Sequence, residues 1–271
     1  MQEPEVQEVK FKRPKIGVGI LEVKIYEDEQ LDDLQIRSFK IIQKKNGYKF
    51  GVDAVLLSDF AEVKKDECVI DLGTGTGVIP ILIAGKTKAR SITGVEIQKD
   101  IAEMAKRSVL LNNIENRVNI VCGDLRNFER DFKALKYDVV VSNPPYMNAG
   151  GGLINPLESK AVSRHEIMCT LEDVISLAAK IIKENGRFYL VHRPERLVDI
   201  IMLSRKYSLE PKCLKAVYPY KCKNANIILV KMVKGGNPML KIVEPLYIYS
   251  EKGRYSEEIN KIYGRSDNTV E

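Results

Sequence analysis

Histidine is nearly absent from this chain, with two in 271 residues, which leaves little material for a metal centre. Its five cysteines, Cys68, Cys122, Cys169, Cys213 and Cys222, are odd in number, scattered and without a C-x-x-C pair. That pattern fits reduced thiols in a cytoplasmic protein better than a disulfide framework or a zinc site. No apolar run approaches the roughly 20 residues needed to cross a bilayer. The opening Met1-Gln2-Glu3-Pro4-Glu5 is acidic and unlike a secretory signal. Repeats and low-complexity tracts are missing too. What is present is 44% hydrophobic and 30% charged residues, the profile of a soluble chain with a real core.

The net charge of +6 is unevenly spread. Residues 66–142 carry 11 acidic and 11 basic side chains, whereas 193–254 carry 13 Lys and Arg against 5 Asp and Glu, a net +8. Such an asymmetry is either a nucleic-acid footprint or an ordinary lysine-rich solvated face.

Along the chain, residues 1–30 read as a charged arm with a strand near 19–26. Residues 40–43 and 48–50, on either side of Asn46-Gly47, predict a hairpin. Asp53 then stands as N-cap of a short helix over 54–60. From Cys68 onward short apolar runs alternate with amphipathic stretches. Strands are expected at 68–72, 91–95, 118–122, 137–142 and 188–191. Helices are expected at 78–85, 99–112, 171–183 and from Pro194 to about 207, with Asn185-Gly186 as the C-cap of the third. Repeated β-α-β order implies a largely parallel sheet with helices on both faces. The last two runs, 212–218 and 225–233, have no helix between them and predict an antiparallel hairpin at the end of the sheet.

The chemistry gathers at strand ends. The first strand leads into Asp71-Leu72-Gly73-Thr74-Gly75-Thr76-Gly77, whose alternate glycines let a ligand lie against bare backbone. A carboxylate ahead of this loop would repel a diphosphate and suits a ligand with an ammonium group. Glu96 ends the second strand, where a carboxylate can accept both hydroxyls of a ribose. Asp124 ends the third and can accept from an adenine amine. The fourth strand runs out into Asn143-Pro144-Pro145-Tyr146, a stiff exit because neither proline offers an N–H. It presents an amide, a carbonyl and an aromatic ring at the edge where open α/β sheets bind ligands. These features point to a nucleoside with a cationic amino-acid tail, of which S-adenosylmethionine is the obvious example. Residues 147–162, with Gly150-Gly151-Gly152, are either a lid over this site or a surface loop.

With these motifs in order, the chain resembles a class I S-adenosylmethionine-dependent methyltransferase of the Asn-Pro-Pro-Tyr branch. More narrowly it resembles the bacterial valine-tRNA adenine-N6 methyltransferase family. The likeness runs from about residue 31 to 263. It includes Gln43 and the Gly47-Tyr48-Lys49-Phe50-Gly51-Val52-Asp53 segment, the glycine loop, Gly94-Val95-Glu96, Gly123-Asp124, the Asn-Pro-Pro-Tyr turn and Arg164-His165-Glu166. Neighbouring branches modify guanine in RNA or glutamine in proteins.

The resemblance implies a Rossmann-like fold with a seven-stranded, mostly parallel sheet. It divides the chain into an arm (1–30), a hairpin-plus-helix cap over the cofactor pocket (31–65), a methyltransferase domain (66–250) and a tail with a short helix (251–271). It implies that Asp71, Gly73 and Gly75 hold the methionine end of S-adenosylmethionine, Glu96 its ribose and Asp124 its adenine amine. Thr74, Gly77, Ile97, Leu125 and Asn143 would also border the cofactor. Tyr48 and Phe50 would close the pocket. Asn143 and Pro144 would accept hydrogen bonds from the target amine, with Pro145 stiffening the turn and Tyr146 stacking on the base. A tRNA partner would meet the basic stretch of Lys212, Lys215, Lys221 and Lys223, which Tyr218 and Tyr220 interleave.

Overall fold

The computed structural model describes residues 6–9, 23–47, 49–127, 136–145 and 169–265. In chain order the strands are β1 (Val6–Val9), β2 (Val23–Tyr26), β3 (Glu29–Asp33), β4 (Lys40–Lys44), β5 (Cys68–Leu72), β6 (Ser91–Glu96), β7 (Val118–Cys122) and β8 (Tyr137–Ser142). They continue as β9 (Ile182–His192), β10 (Leu209–Tyr218), β11 (Ile227–Lys234), β12 (Lys241–Ile242), β13 (Leu246–Tyr247), β14 (Tyr249–Glu251) and β15 (Arg254–Tyr255). The helices are α1 (Val52–Phe60), α2 (Val78–Lys86), α3 (Lys99–Leu111), α4 (Leu171–Ile181), α5 (Leu197–Lys206) and α6 (Glu257–Ile262).

The seven long strands lie in the order β7-β6-β5-β8-β9-β11-β10, and the two-residue strands β12 and β13 line the outer edge of β10. Strands β5 to β9 are mutually parallel, while β11 runs antiparallel to both β9 and β10. The expected hairpin is therefore present, with its second strand inserted one place in from the margin. The central strands are apolar at nearly every position because both faces are covered. Val69, Val139 and Val141 point into a core shared with α1, α2, α3 and α6. Ile70 and Val140 point the other way, into a core shared with α4 and α5.

After β7 the chain crosses back over β5 to lay β8 on its other side. The strand order reverses there, so β5 and β8 flank a crevice at their C-terminal ends. Their register sets Asp71 opposite Val141 and Leu72 opposite Ser142.

Four sequence expectations are corrected. β4 pairs with β3, not with the segment after Asn46-Gly47, and residues 49 and 50 are not strand. β3 was hard to read as a strand because it is polar, Glu-Gln-Leu-Asp-Asp. Its buried Glu29 is held by a two-pronged bond from Arg107 of α3, at 2.7 and 2.8 Å. Burial alone would raise the Glu29 carboxyl, but the Arg107 bonds, the Tyr26 N–H and the nearby cations hold it below the usual range. Second, α1 begins at Val52 with Gly51 as N-cap, and Asp53 sits buried in its first turn. Third, α4 stops at Ile181 and Asn185-Gly186 is not its C-cap. Asn185 adopts φ 61° in a bulge, where the pairing of β8 with β9 slips between Tyr137 and Val139. Fourth, Pro194 opens a 3₁₀ turn that precedes α5.

Candidate active site

The glycine loop leaves β5 under tight backbone control. The Gly73 and Thr74 N–H groups both donate to the Val95 carbonyl of β6, at 3.0 and 2.9 Å. Gly73, Gly75 and Gly77 have φ of 77°, 55° and 87°, the left-handed region in which a side chain is strained. A Cβ built on Gly73 or Gly75 would meet nothing within 4 Å, so both face open space, whereas Gly77 caps α2 close against Ala105. The loop is thus a bare-backbone cradle opening on the crevice.

Below it lies Asp71, fully buried, with neither carboxylate oxygen hydrogen-bonded among the described residues. Burial pushes its pKa up to about 7; the nearby Thr74 hydroxyl, in no hydrogen bond to it, opposes the rise and Glu96 adds to it. A buried carboxylate without a partner is costly. It is well matched to a ligand that brings its own cation. Glu96, also buried, accepts from Gly75 N–H and Gln98 N–H at 2.9 Å each. Each of its oxygens keeps a further lone pair for a donor.

Thr74 fills the space that Gly94 leaves. A Cβ at Gly94 would stand 2.8 Å from the Thr74 hydroxyl and 2.9 Å from Ile120 Cδ1. Gly94→Ala is therefore expected to cost about 1–3 kcal/mol through overpacking and to displace the loop; thermal unfolding measures it. An unchanged melting temperature would mean that Thr74 moves aside freely.

Asp124 follows β7 and is gripped by Arg126 of the next turn, with Arg126 Nη2 2.6 Å from Oδ2 and Nε 3.1 Å from each oxygen. These bonds hold the Asp124 carboxyl below its ordinary range. Gly73, Glu96, Ile97, Asp124, Leu125 and Pro144 line one open cleft.

On the far side, β8 ends in Ser142, whose buried hydroxyl donates to the Leu72 carbonyl at 2.8 Å. This ties the exit of β8 to the entry of the glycine loop. Asn143 follows half-buried, Pro144 buried and Pro145 exposed. Tyr146, Tyr48, Arg164-His165-Glu166 and residues 147–162 lie outside the described residues.

Phe50 packs against the core on the α1 face. With its amide oriented to satisfy both neighbours, Gln43 donates to Asp32 at 2.8 Å and accepts from Phe50 N–H at 3.1 Å. The same amide lies 3.4 Å from the Thr76 hydroxyl, so it links the segment before α1 to the glycine loop.

Sequence reasoning overlooked two groups. Ser142 is one, since a serine ending an apolar strand carries no signal of its own. The other is the cleft wall formed by Cys169 and Val174 at the start of α4. Thr170-Leu171-Glu172-Asp173 forms a capping box, with the Thr170 hydroxyl accepting from Asp173 N–H and Asp173 from Thr170 N–H. That signature marks the start of the helix expected from 171; its position against the cleft is what went unread. Burial pushes the Cys169 thiol up to about 12, with Asp173 and Asp124 adding to the rise, which favours the protonated, less reactive form.

The doubly wound architecture is shared with solved methyltransferases. A predicted O-methyltransferase from Agrobacterium tumefaciens is 22% identical, with a TM-score of 0.64 over 78% of this chain and 95% of its own. Geranyl diphosphate C-methyltransferase from Streptomyces coelicolor is 13% identical, with a TM-score of 0.51 over 68% of this chain and 78% of its own. These likenesses show the fold class. The chain belongs to the methyltransferase small domain family, whose model matches residues 51–204. Among curated proteins it is similar to the tRNA1(Val) (adenine(37)-N6)-methyltransferase of Aeromonas salmonicida, 29% identical over 82% of this chain and 91% of the relative. The protein of the same description from Parabacteroides distasonis is 28% identical over 84% and 94%.

Proposed function

We propose that this chain methylates the exocyclic N6 amine of an adenine in tRNA, in the anticodon loop of valine tRNA, with S-adenosylmethionine as donor. The observation that carries the reading is the meeting of an unpartnered buried Asp71 with the Asn143-Pro144 exit at one switch point. The substrate assignment is supported by curated relatives that match over most of both chains. The residues present fit the donor. Asp71 would hold its ammonium, the Gly73–Gly75 backbone its amino-acid tail, Glu96 its ribose and Asp124 its adenine amine, with Ile97 and Leu125 lining the same cleft. Among the described residues no helix is long and apolar enough to cross a membrane, which accords with work on cytoplasmic tRNA.

The bound donor supplies an electrophilic sulfonium methyl. The chain supplies alignment. The lone pair of an aryl amine is delocalised into its ring and attacks poorly. Asn143 Oδ1 and the Pro144 carbonyl, accepting the two N–H groups, favour a more pyramidal nitrogen. Positioning of this kind contributes about 7–11 kcal/mol in well-oriented systems. The same two acceptors stabilise positive charge as it develops on nitrogen. No strong base is required beforehand: as the N–C bond formed, the donor's methyl–sulfur bond would break to leave a neutral thioether, and the now cationic nitrogen would give up its acidic proton to water. An anticodon-loop base can be turned out at less cost than a paired one.

The basic residues supply RNA contacts in this reading. Lys221 and Lys223 are exposed in the turn between β10 and β11, whereas Lys215 is half-buried. Lys212 is the bulged residue of β10 and donates to the carbonyls of Asn237 and Pro238. Replacing Lys221 and Lys223 with alanine is expected to weaken RNA binding and flatten its logarithmic salt dependence by roughly 1.4–1.8, two phosphate contacts' worth. Equal slopes in filter-binding titrations would remove the contact.

The test of function is transfer of labelled methyl from S-adenosylmethionine to unmodified total tRNA, followed by nucleoside analysis. N6-methyladenosine in valine tRNA is the expected product. Label on guanine would overturn the base, and label only on protein glutamine would overturn the substrate class.

A further inference from the structure

Away from the cleft, four tyrosines distant in sequence form one ladder. Tyr220, in the turn after β10, stacks on Tyr249 of β14 with centroids 5.2 Å apart and planes at 27°. Tyr249 stacks on Tyr255 of β15 at 5.2 Å and 11°, and Tyr255 on Tyr263, just past α6, at 6.0 Å and 26°. Arg265 closes the far end, its guanidinium 4.9 Å from the Tyr263 centroid and 5.2 Å from that of Tyr255. Arg265 is itself held by Gln35 Oε1 at 2.6 Å. The ladder is built in from both sides. Ile248 and Tyr249 N–H groups donate to the Tyr218 and Pro219 carbonyls, and Ile259 of α6 is fully buried in the core.

All four rings are half-buried: Tyr249, Tyr255 and Tyr263 pack against the core beside Ile248 and Ile259, and Tyr220 extends the stack outward from them. The ladder has one open end. Tyr220 stacks on Tyr249 alone among the described residues, leaving its outer face without a ring or cation partner there. Lys223 N–H donates to the Tyr220 carbonyl, so the turn sets exposed Lys221 and Lys223 beside that ring. Exposed Lys252 and Arg254 project from the hairpin that carries Tyr249 and Tyr255. Because β8, β9 and β10 run the same way, this turn lies on the edge where Asn143 emerges. Three strand spacings separate them, roughly 14 Å.

We propose that Tyr220, buttressed by the ladder behind it, is a stacking platform for an unpaired nucleobase of the RNA substrate, outside the methyl-transfer pocket. The inference rests on the RNA reading above and adds a second base contact to it. Any base offers a π-face, so such a platform holds single-stranded RNA without reading its sequence, while flanking cations track the phosphates. The buttress matters because a ring already fixed by its neighbours loses little freedom on binding.

The chain contains no tryptophan, which gives a direct reporter. In Tyr220→Trp, emission comes from that position alone and is expected to be quenched when an unmodified anticodon stem-loop RNA is added. Tyr249→Trp, sandwiched inside the ladder, should change little. Tyr220→Ala is expected to bind the stem-loop about tenfold more weakly, with Tyr220→Phe near the parent and S-adenosylmethionine affinity unchanged in both. Parent-like RNA binding by Tyr220→Ala, with the unsubstituted protein binding normally, would overturn the platform and leave the RNA reading standing. Failure of the unsubstituted protein to bind any RNA would overturn both.

Discussion

Asn143→Ala should lower methyl-transfer turnover by about 10²–10³-fold, the scale seen when one preorganised hydrogen-bonding group is deleted from a reaction centre. S-adenosylmethionine affinity should stay within a few-fold, because Asn143 belongs to the β8 exit and the cradle to the β5 exit. The two exits are joined by the Ser142 hydroxyl on the Leu72 carbonyl, a bond made by backbone and a neighbouring side chain that the substitution leaves in place. The loss should fall on kcat, with KM for RNA moving little, since the amide's contribution grows as the amine nitrogen pyramidalises. Single-turnover rates at saturating RNA separate these terms. A variant with parental turnover would remove Asn143 from the reaction, and a loss confined to KM would make it a binding residue only.

Much of this frame was legible in the chain itself, for reasons that can be traced. Residues 68–72 and 137–142 are apolar at almost every position because the strands are covered on both faces, so they announced themselves without alternation. The prolines after Asn143 and the glycines after Asp71 marked where those strands end. Three carboxylates then fell on successive strand termini, and the parallel register brings Asp71, Glu96 and the exit of Asn143 to one edge. What could not be read is what depends on side chains meeting across long separations. β3 is polar and holds its place through Glu29 and Arg107, 78 residues apart. The grip of Arg126 on Asp124 looks, in sequence, like any solvated pair of charges. The helix that begins at Leu171 was expected, but that its start, with Cys169 and Val174, forms a wall of the cleft depends on how the chain folds back and was not legible. Tyr220, Tyr249, Tyr255 and Tyr263 follow no period, and their ladder exists only because the last hairpin folds back along the end of β10.

Asp71→Asn is expected to weaken S-adenosylmethionine binding at least a hundredfold while making the free protein more stable above neutral pH. Both effects come from the same buried carboxylate. In the free protein its pKa is raised to about 7, chiefly by burial. A folded-state value above the unfolded one, about 3.9 for an aspartate, means the carboxyl contributes stability below pH 4 that is lost as pH rises through 7. His192 works the other way in the same window. Burial and Arg196 lower it to about 4, so its contribution is present above 6.5 and lost as pH falls toward 4. The amide isostere abolishes the Asp71 contribution and leaves that of His192. Melting curves of the variant should therefore lie above the parent's at pH 8 and converge with them toward pH 4. Binding shows the opposite sign. Asp71 must be ionised to hold an ammonium group, so affinity in the parent should fall as pH drops below about 7, and binding there should release a proton. Removing one partner of a buried charge pair costs about 3–5 kcal/mol, which is the source of the hundredfold figure. Calorimetry at pH 6 and 8, in buffers of differing ionisation heat, reads both the affinity and the proton. An Asp71→Asn variant that still binds the cofactor like the parent, or a parent whose affinity is level from pH 6 to 8, would assign the ammonium to another group.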